Sequence, residues 1–245
     1  MFGFLEKRQS LRCRTSRSTQ QTNSTKKDTA MSFELYYHPL ASYCWKALIA
    51  LYEAGLPFEK RVVDLGDPTQ RAAFLELTPI GKFPLLRDGE SGRCIPESSI
   101  LIEYLALRAP SAAQLFPSSP ELLLEVRARD RFFDLYVMEP MTKIVDDKLR
   151  PENERDPRGV ANAHARLDTA YAIAERFLRG SGWAVGNDFS LADCAAAPAL
   201  FYADKVHPIS SASPRARAYL ERLEARSSFA RVLREAEPFM SMFPG

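Results

Sequence analysis

The segment that most constrains the fold of this chain of 245 residues lies between residues 81 and 105. It opens with Gly81-Lys-Phe-Pro-Leu-Leu86, in which a proline stands at the mouth of a short apolar run. Because proline has no N–H to donate, it is tolerated at the first residue of a strand but spoils the middle of a central one. We therefore predict that the chain bends at Pro84 into a strand, so that Phe83 presents its backbone outward.

The second part of the segment, Pro96-Glu-Ser-Ser-Ile-Leu-Ile-Glu-Tyr-Leu105, has the pattern of a helix start. Apolar residues recur there at helical spacing. Glu97 and Ser98 stand where unpaired N–H groups and the positive end of the helix dipole attract an anion. Between the two parts, Asp88-Gly-Glu-Ser-Gly92 has the composition of a turn that joins two short strands. A bent strand edge beside a helix N-terminus suits a small, peptide-like anion.

The surrounding pattern predicts an α/β domain at residues 31–110 with the order βαβαββα. The predicted elements before the opening segment are a strand at 33–37, a helix that closes at 55, a strand at 58–63 and a helix at 68–77. The first strand–helix–strand unit implies a parallel pair, and the Asp-Gly turn implies an antiparallel hairpin. A mixed four-stranded sheet with helices follows.

Beyond residue 110 the chain shows no strand pattern, which predicts an all-α domain. The Pro-, Ser- and Ala-rich residues 111–120 form a linker, and residues 121–245 carry the helices. We predict helices at 121–149, kinked at Pro140, and at 160–178, 214–225 and 228–236. Ser190-Leu-Ala-Asp193 is a capping box with Phe189 as its hydrophobic staple. Arg129 and Asp130 interrupt the apolar stripe of the long helix, which suggests a cleft, a subunit boundary or, as the favoured interpretation, a simple ion pair at the domain seam.

Charge and composition separate the N-terminus from the rest of the chain. Residues 1–30 carry seven Lys/Arg and two acidic residues within a chain of net charge +2, so residues 31–245 have a net charge of −3. We expect the first 30 residues to be a disordered basic extension, either a targeting segment or a translated leader. The slightly acidic body argues against a nucleic-acid partner. No apolar run approaches the roughly 18 residues of a membrane span, so we expect no membrane partner.

The four cysteines are far apart and have no Cys-x-x-Cys or metal-ligand spacing. This distribution predicts no metal site and favours free thiols in a reducing compartment, hence a cytoplasmic protein. Cys94 and Cys194 have the surroundings of core residues.

Four motifs in this order resemble the glutathione S-transferase superfamily, in its bacterial-type cytosolic form, over nearly all of residues 31–245. They are Ser42-Tyr-Cys-Trp-Lys-Ala-Leu-Ile-Ala-Leu51 after the first strand, Gly81-Lys-Phe-Pro84, Glu97-Ser98 and Phe189-Ser-Leu-Ala-Asp193. The resemblance implies a thioredoxin-like first domain, a helical second domain, glutathione as co-substrate, a homodimer and a role in detoxification. No class within the superfamily is assigned.

The resemblance also implies roles for individual residues in glutathione binding. Phe83 would pair through its backbone with the cysteinyl part of glutathione, beside a cis Pro84. Glu97 and Ser98 would hold the γ-glutamyl end, and Lys82 would meet the glycyl carboxylate as a point charge. The alternative for Glu97 and Ser98 is simple helix capping. For Lys82 it is a solvated surface charge.

The group that stabilises the glutathione thiolate is left open by the sequence. Counting back from Lys46, taken as the family's basic residue in the first helix, the usual Ser or Cys position falls on Ala41. The donor could therefore be Ser42, the hydroxyl of Tyr43 or backbone N–H groups alone, with Ser42 ranked first and also a candidate N-cap. A Cys-x-x-Cys redox cycle is excluded by Ala41, so Cys44 is interpreted as a small core residue.

Conjugation of the glutathione thiolate to a hydrophobic electrophile is the leading functional hypothesis. One alternative is a glutathione-binding stress protein with little or no turnover, which Ala41 suggests. The other is a glutathione-dependent isomerase, because Ser42 and Trp45-Lys46 are similar to the zeta-type pattern. The electrophile is not predicted.

Overall fold

The computed structural model describes residues 32–179 and 182–244, so the predicted basic extension lies outside the described residues. Contacts divide the described chain into two compact units. The sheet unit comprises residues 32–38 and 57–97, and the helical unit comprises residues 39–56 and 98–244. The first helix is thus counted with the helical unit. The domain bounds at residues 110 and 120 remain a prediction.

The N-terminal part of the chain has the predicted order of elements. It runs β1 (Phe33–Tyr37), α1 (Ser42–Glu53), β2 (Phe58–Val62), α2 (Pro68–Leu77), β3 (Leu85–Asp88), β4 (Arg93–Pro96) and α3 (Ser98–Arg108). The sheet order is β2-β1-β3-β4, with β1 parallel to β2 and the other two pairs antiparallel. The mixed four-stranded sheet and the order βαβαββα are confirmed.

The sheet unit has its own small core beneath α2. Asp67 begins α2 by accepting the backbone N–H groups of Thr69 and Gln70, both at 2.8 Å, and Pro68 occupies the first turn. Phe74, the one buried residue of this helix, packs against Leu85 and the other core residues of the sheet. These contacts fix α2 to the strands whose ends carry the candidate site.

The helical unit contains α1, α3 and the remaining helices of the described chain. These are α4 (Pro110–Ala113), α5 (Pro120–Phe132), α6 (Glu139–Leu149), α7 (Pro157–Phe177), α8 (Leu191–Val206), α9 (Pro214–Ala225) and α10 (Ser227–Ala236), with short 3₁₀ segments at Glu152–Glu154 and Glu237–Met242. Residues 98–179 and 182–244 contain no strand, which confirms the helical second domain. Within the described ranges, no helix is long and apolar enough to cross a membrane.

The prediction that the long helix is kinked at Pro140 is wrong in its position. The long helix is interrupted earlier, by a π-helical segment at Phe133–Met138, and Pro140 lies in the first turn of α6. Proline is tolerated in a first turn because its missing N–H would have had no partner there. The capping box of Ser190 and Asp193 is confirmed, with Asp193 Oδ2 accepting the Ser190 N–H at 2.8 Å.

The described cysteines are buried. Cys44 and Cys194 are free thiols, as predicted, whereas Cys94 is disulfide-bonded, so the expectation of a free thiol there is wrong. Burial raises the pKa of the Cys194 thiol well above its usual value, which makes it a core residue without thiolate character.

Candidate functional site

The end of the sheet carries the bent strand edge that the sequence predicts. The Phe83–Pro84 peptide bond is cis. Leu85 of β3 pairs with Pro96 of β4, and this is the last pair of the antiparallel ladder. Pro84 and Glu97 are the next residues outward on the two strands, so the register brings them to the same end of the sheet.

Phe83 is anchored by its ring, while its neighbour Lys82 remains exposed. The ring centroid of Phe83 lies 4.9 Å from that of Phe74 on α2, and the side chain packs against the core of the sheet unit. Anchoring the ring inward leaves the backbone groups of Phe83 to define the outer edge of the loop. Lys82 is exposed on the same loop.

Glu97 has an unusual backbone conformation for a residue with a side chain. Its φ is 69°, and it is the one non-glycine residue with positive φ among the described residues. The left-handed region costs a residue with a Cβ roughly 1–2 kcal/mol, and such conformations collect at functional sites. Neither Glu97 nor Ser98 makes a side-chain hydrogen bond to another described residue. The capping alternative therefore has no hydrogen bond to support it.

The start of α1 distinguishes the two candidate hydroxyl donors. Ala41 is the N-cap of α1, so the expectation that Ser42 caps the helix is wrong, and Ser42 occupies the first helical position. The Ser42 hydroxyl is half-buried and makes no hydrogen bond within the described chain. The Tyr43 hydroxyl, in contrast, donates its proton to the Asp134 carbonyl at 3.3 Å.

Lys46, one turn further along α1, lies at the centre of a buried polar cluster. Its side chain is fully buried, and Nζ lies 2.6 Å from Asp130 Oδ1 and 2.8 Å from Asp134 Oδ2. Nζ also donates to Ser99 Oγ at 2.8 Å, and Ser99 Oγ donates to Asp130 Oδ2 at 2.8 Å. Since Ser99 follows Ser98, the Lys46 cluster (Lys46, Ser99, Asp130 and Asp134) ties the first turn of α3 to α1.

The Lys46 cluster holds two carboxylates against one ammonium group. Burial is the largest influence on Asp134 and raises the pKa of its carboxyl, while Lys46 opposes that rise and Asp130 adds to it. Asp134 lies in the π-helical segment, where its carbonyl accepts the Glu139 N–H in addition to the Tyr43 hydroxyl. Single π-helical turns are rare and occur frequently at functional sites.

Comparison with known proteins identifies the family. A profile described as "Glutathione S-transferase, N-terminal domain" matches residues 35–113, and one described as "Glutathione S-transferase, C-terminal domain" matches residues 156–222. A glutathione S-transferase-like protein, LUC7 of a Fusarium species, is 32% identical over 163 residues, covering 65% of this chain and 72% of that protein. The chain belongs to the glutathione S-transferase superfamily.

Two further proteins are similar to this chain over almost their full lengths. The maleylacetoacetate isomerase of Pseudomonas aeruginosa is 29% identical over 215 residues, covering 85% of this chain and 96% of the isomerase. The crystal structure of a glutathione S-transferase from Methylobacterium radiotolerans, in complex with glutathione sulfonate, has a TM-score of 0.72 and 27% identity. That alignment covers 82% of this chain and 94% of the bacterial protein.

Within this glutathione S-transferase fold, the aromatic residues of the long helix are divided between core and surface. Phe132 and Phe133 are buried and pack around Phe177, so they are core residues. Tyr136 is 55% exposed and lines a hollow of about 260 Å³ against α7. Among the described residues, no group of three or more His, Cys, Asp or Glu side chains could hold a metal ion.

The sequence signal for the Lys46 cluster was present but incomplete. The ion pair expected for Asp130 exists, and its partner is Lys46. Arg129, its neighbour in sequence, pairs instead with Glu125 at 3.1 Å. A lysine inside the otherwise apolar run of α1 requires a buried counter-charge. The π-helical segment and Asp134 were not predicted.

Proposed function

We propose that this protein is a glutathione transferase that conjugates the glutathione thiolate to a hydrophobic electrophile. The observation that carries the proposal is the Ser42 hydroxyl. It makes no hydrogen bond with any described residue and stands in the first turn of α1, one residue after Ala41, which occupies the superfamily's usual donor position. The competing hydroxyl of Tyr43 is already bonded to the Asp134 carbonyl.

The proposed binding roles follow the residues that were predicted. Lys82 meets the glycyl carboxylate, Phe83 pairs through its backbone beside Pro84 with the cysteinyl part, and Glu97 and Ser98 hold the γ-glutamyl end. The left-handed backbone of Glu97 supports this assignment. It costs conformational free energy, and no side-chain hydrogen bond from Glu97 to another described residue offsets that cost. Glutathione is the co-substrate, and no metal takes part in these roles.

Ser42 would stabilise the thiolate by donating its O–H to the sulfur. A free thiol has a pKa of about 8.5, so most of it is protonated near neutral pH. A hydroxyl donor and the first-turn N–H groups of α1 favour the anion and lower that pKa. Holding an ionised sulfur against a bound electrophile then supplies proximity as well as charge stabilisation.

The test compares two substitutions that each remove one hydroxyl. We expect Ser42→Ala to lower kcat/KM for a halo-nitroarene about 100-fold, as removal of one such donor does, with little change in glutathione affinity. Tyr43→Phe should change kcat/KM less than threefold. Full activity in Ser42→Ala would reject the Ser42 assignment, and failure of the native chain to bind glutathione would reject the function.

A glutathione-dependent isomerase is the second candidate. It is favoured by the maleylacetoacetate isomerase of P. aeruginosa, of which the chain covers 96%. An isomerase would convert maleylacetoacetate with glutathione regenerated at each turnover, whereas a transferase consumes glutathione. Measuring both reactions on the same preparation separates them. Saturable glutathione binding without ultraviolet thiolate absorbance and without either reaction would indicate the weakly active binding protein.

We also infer that the chain forms a homodimer through α3 and α5. Arg127 pairs with Glu103 at 2.9 Å and joins these two helices. Around the pair, Ile100, Leu107 and Leu124 are 56%, 84% and 70% exposed. Apolar side chains grouped about an ion pair suit a partner surface. Leu107→Glu should shift the mass measured by light scattering from dimer to monomer.

A cytoplasmic location remains a prediction. The free thiols at Cys44 and Cys194 agree with a reducing compartment, and the disulfide at Cys94 argues against it. Cell fractionation with an antibody against the chain would decide between them.

A further inference from the structure

Two buried side chains hold the loop at residues 39–41, which leads into the first turn of α1. Trp45 Nε1 donates its hydrogen to the Pro39 carbonyl oxygen at 2.6 Å, and the Tyr202 hydroxyl donates to the Leu40 carbonyl oxygen at 3.0 Å. Trp45 belongs to α1 itself, whereas Tyr202 belongs to α8 and is separated from Leu40 by 162 positions in sequence. The conformation of this loop therefore depends on the packing of α8 against α1.

Tyr202 is a fixed donor. The residue is 1% exposed, and the ring centroids of Trp45 and Phe243 lie 4.6 Å and 5.0 Å from that of Tyr202. Burial raises the pKa of the Tyr202 hydroxyl, and the nearby Cys44 adds to that rise. The hydroxyl therefore stays protonated throughout the neutral range, and the aromatic packing sets its position.

The hydrogen bond from Tyr202 also sets the direction of a backbone N–H group. A trans peptide unit is planar, so its C=O and N–H groups point in opposite directions. The Leu40 carbonyl and the Ala41 N–H belong to one trans unit. Because Tyr202 holds the Leu40 carbonyl towards α8, the Ala41 N–H is turned away from α8.

The Ala41 N–H lies at the start of α1, next in sequence to Ser42. Ala41 is the N-cap and Ser42 the first helical residue, and the Ala41 carbonyl accepts the Cys44 N–H at 2.8 Å. Neither the Ala41 N–H nor the Ser42 hydroxyl makes a hydrogen bond to any residue in 32–179 or 182–244. The carbonyl oxygens of residues 39–41 are thus bonded within the helical unit, and the two groups without such a bond are both donors. Donors at a helix start favour an anion over a neutral group.

We propose that Tyr202 is a positioning residue of the glutathione site, whose hydroxyl orients the Leu40–Ala41 peptide so that the Ala41 N–H and the Ser42 hydroxyl donate together to the glutathione thiolate. The inference rests on the proposed transferase function and adds to it a residue of α8. In this role Tyr202 acts through the peptide and does not touch the sulfur. Without its hydroxyl the peptide is free to rotate, the Ala41 donor is weakened and the pKa of the bound thiol rises.

The test is Tyr202→Phe in the full chain, which removes the hydroxyl and keeps the ring. We expect kcat/KM for a halo-nitroarene to fall about tenfold near pH 6 and to approach the native value above about pH 9, because the pKa of the bound thiol rises by about one unit. Glutathione affinity, measured by calorimetry near the lower pH, should stay within twofold. A loss of rate by the same factor at every pH would indicate a merely structural role and overturn the proposal.

The matched control is Tyr171→Phe. Tyr171 of α7 is also buried, and its hydroxyl also donates to a backbone carbonyl, that of His207 at 2.9 Å. The control removes the same kind of hydrogen bond at a distance from the start of α1. Its pH profile should match that of the native chain, and circular dichroism with thermal unfolding should show that both variants are folded.

Ultraviolet absorbance of the bound thiolate measures the same pKa without turnover. It should titrate about one unit higher in Tyr202→Phe than in the native chain. Equal values in the two proteins would overturn the role of Tyr202 and leave the transferase function standing. The two failures are distinguishable, because the function is judged on the native chain alone, whereas the role of Tyr202 is judged on the difference between the two proteins. A native chain that binds no glutathione would reject both.

Discussion

The sheet unit and the helical unit hold their candidate binding residues in different ways. In the sheet unit, Pro84 and Glu97 meet through backbone register, and the participating side chains Lys82 and Glu97 are exposed. In the helical unit, the buried side chain of Lys46 joins α1 to the first turn of α3. Lys46 there reaches across 53 residues to Ser99 and across 88 residues to Asp134.

This difference indicates where each part is vulnerable. The sheet end depends on backbone conformation, so substitutions there should change binding with small effects on stability. The Lys46 cluster depends on complementary buried charge, so loss of one charged member leaves buried charge without its complement. Four predictions test this contrast, in order of decreasing expected effect.

Lys46→Met should lower the free energy of unfolding by about 3–5 kcal/mol. It removes the ammonium group that lies against the buried carboxylates of Asp130 and Asp134, and Asp134 then keeps only Arg131, at 3.4 Å. Urea unfolding followed by circular dichroism measures the loss. Lys148→Met, at an exposed lysine of α6, should change stability by less than about 0.5 kcal/mol. A loss below about 1 kcal/mol at Lys46 would remove the contrast.

Asp134→Asn should change how stability depends on pH. Burial raises the pKa of Asp134 above its ordinary value of 3.8, so the folded chain holds this proton more tightly than the unfolded chain. Lowering the pH from 7 towards 3.8 therefore adds a contribution from Asp134 to the unfolding free energy of the unsubstituted protein, and the Asn variant lacks this contribution. We expect the native-minus-variant difference in unfolding free energy to grow as pH falls.

The comparison of the two chains at each pH cancels the other titrating groups. Asp193, whose pKa burial also raises, is present in both. A native-minus-variant difference in unfolding free energy that stays constant between pH 7 and pH 4 would contradict this prediction. It would show that folding does not raise the pKa of Asp134.

Glu97→Gly should stabilise the chain and weaken glutathione binding at the same time. Glycine relieves the left-handed conformation, whose cost is roughly 1–2 kcal/mol, and loses part of the gain to backbone entropy, leaving about 0.5–1 kcal/mol. Glu97→Gln keeps the conformation, so its stability should match the native chain while its glutathione affinity reports the charge alone. Destabilisation by glycine would contradict the strain at Glu97.

Lys82→Gln should have the smallest effect. Lys82 is exposed, and contacts between exposed charges contribute about 0.2–1 kcal/mol. We expect glutathione affinity to fall less than threefold at low salt and less still at high salt, with unfolding unchanged. Calorimetric titrations at two salt concentrations provide the measurement, and a tenfold loss would mean that Lys82 is a buried contact in the bound state.

Much of the fold follows from local patterns in the sequence. The proline at the start of β3, the Asp-Gly turn after it and the capping box at Ser190 each act within a few residues, so their sequences suffice to predict them. The helix at 68–77 and the helix at 214–225 also begin and end where predicted, because Pro68 and Pro214 occupy their first turns.

The misplaced kink and the rejected cap show the limit of such local reasoning. Pro140 predicts a break in the helix, but the irregular backbone is the π-helical segment that precedes it. Asp134 of that segment forms an ion pair with Lys46. Ser42 is a good N-cap residue by type, but Ala41 takes that position, and the Ser42 hydroxyl makes no hydrogen bond to another described residue. The first outcome involves a contact between residues that are distant in sequence, Lys46 and Asp134.

By itself, the sequence determined the order of elements and the bend at Pro84, because each arises from the chemistry of adjacent residues; the binding of a small peptide-like anion there stays a prediction. The tertiary structure alone decided which candidate hydroxyl has no hydrogen-bond partner among the described residues and which carboxylates pair with Lys46. A sequence shows that a buried charge needs a counter-charge, but long-range packing chooses it.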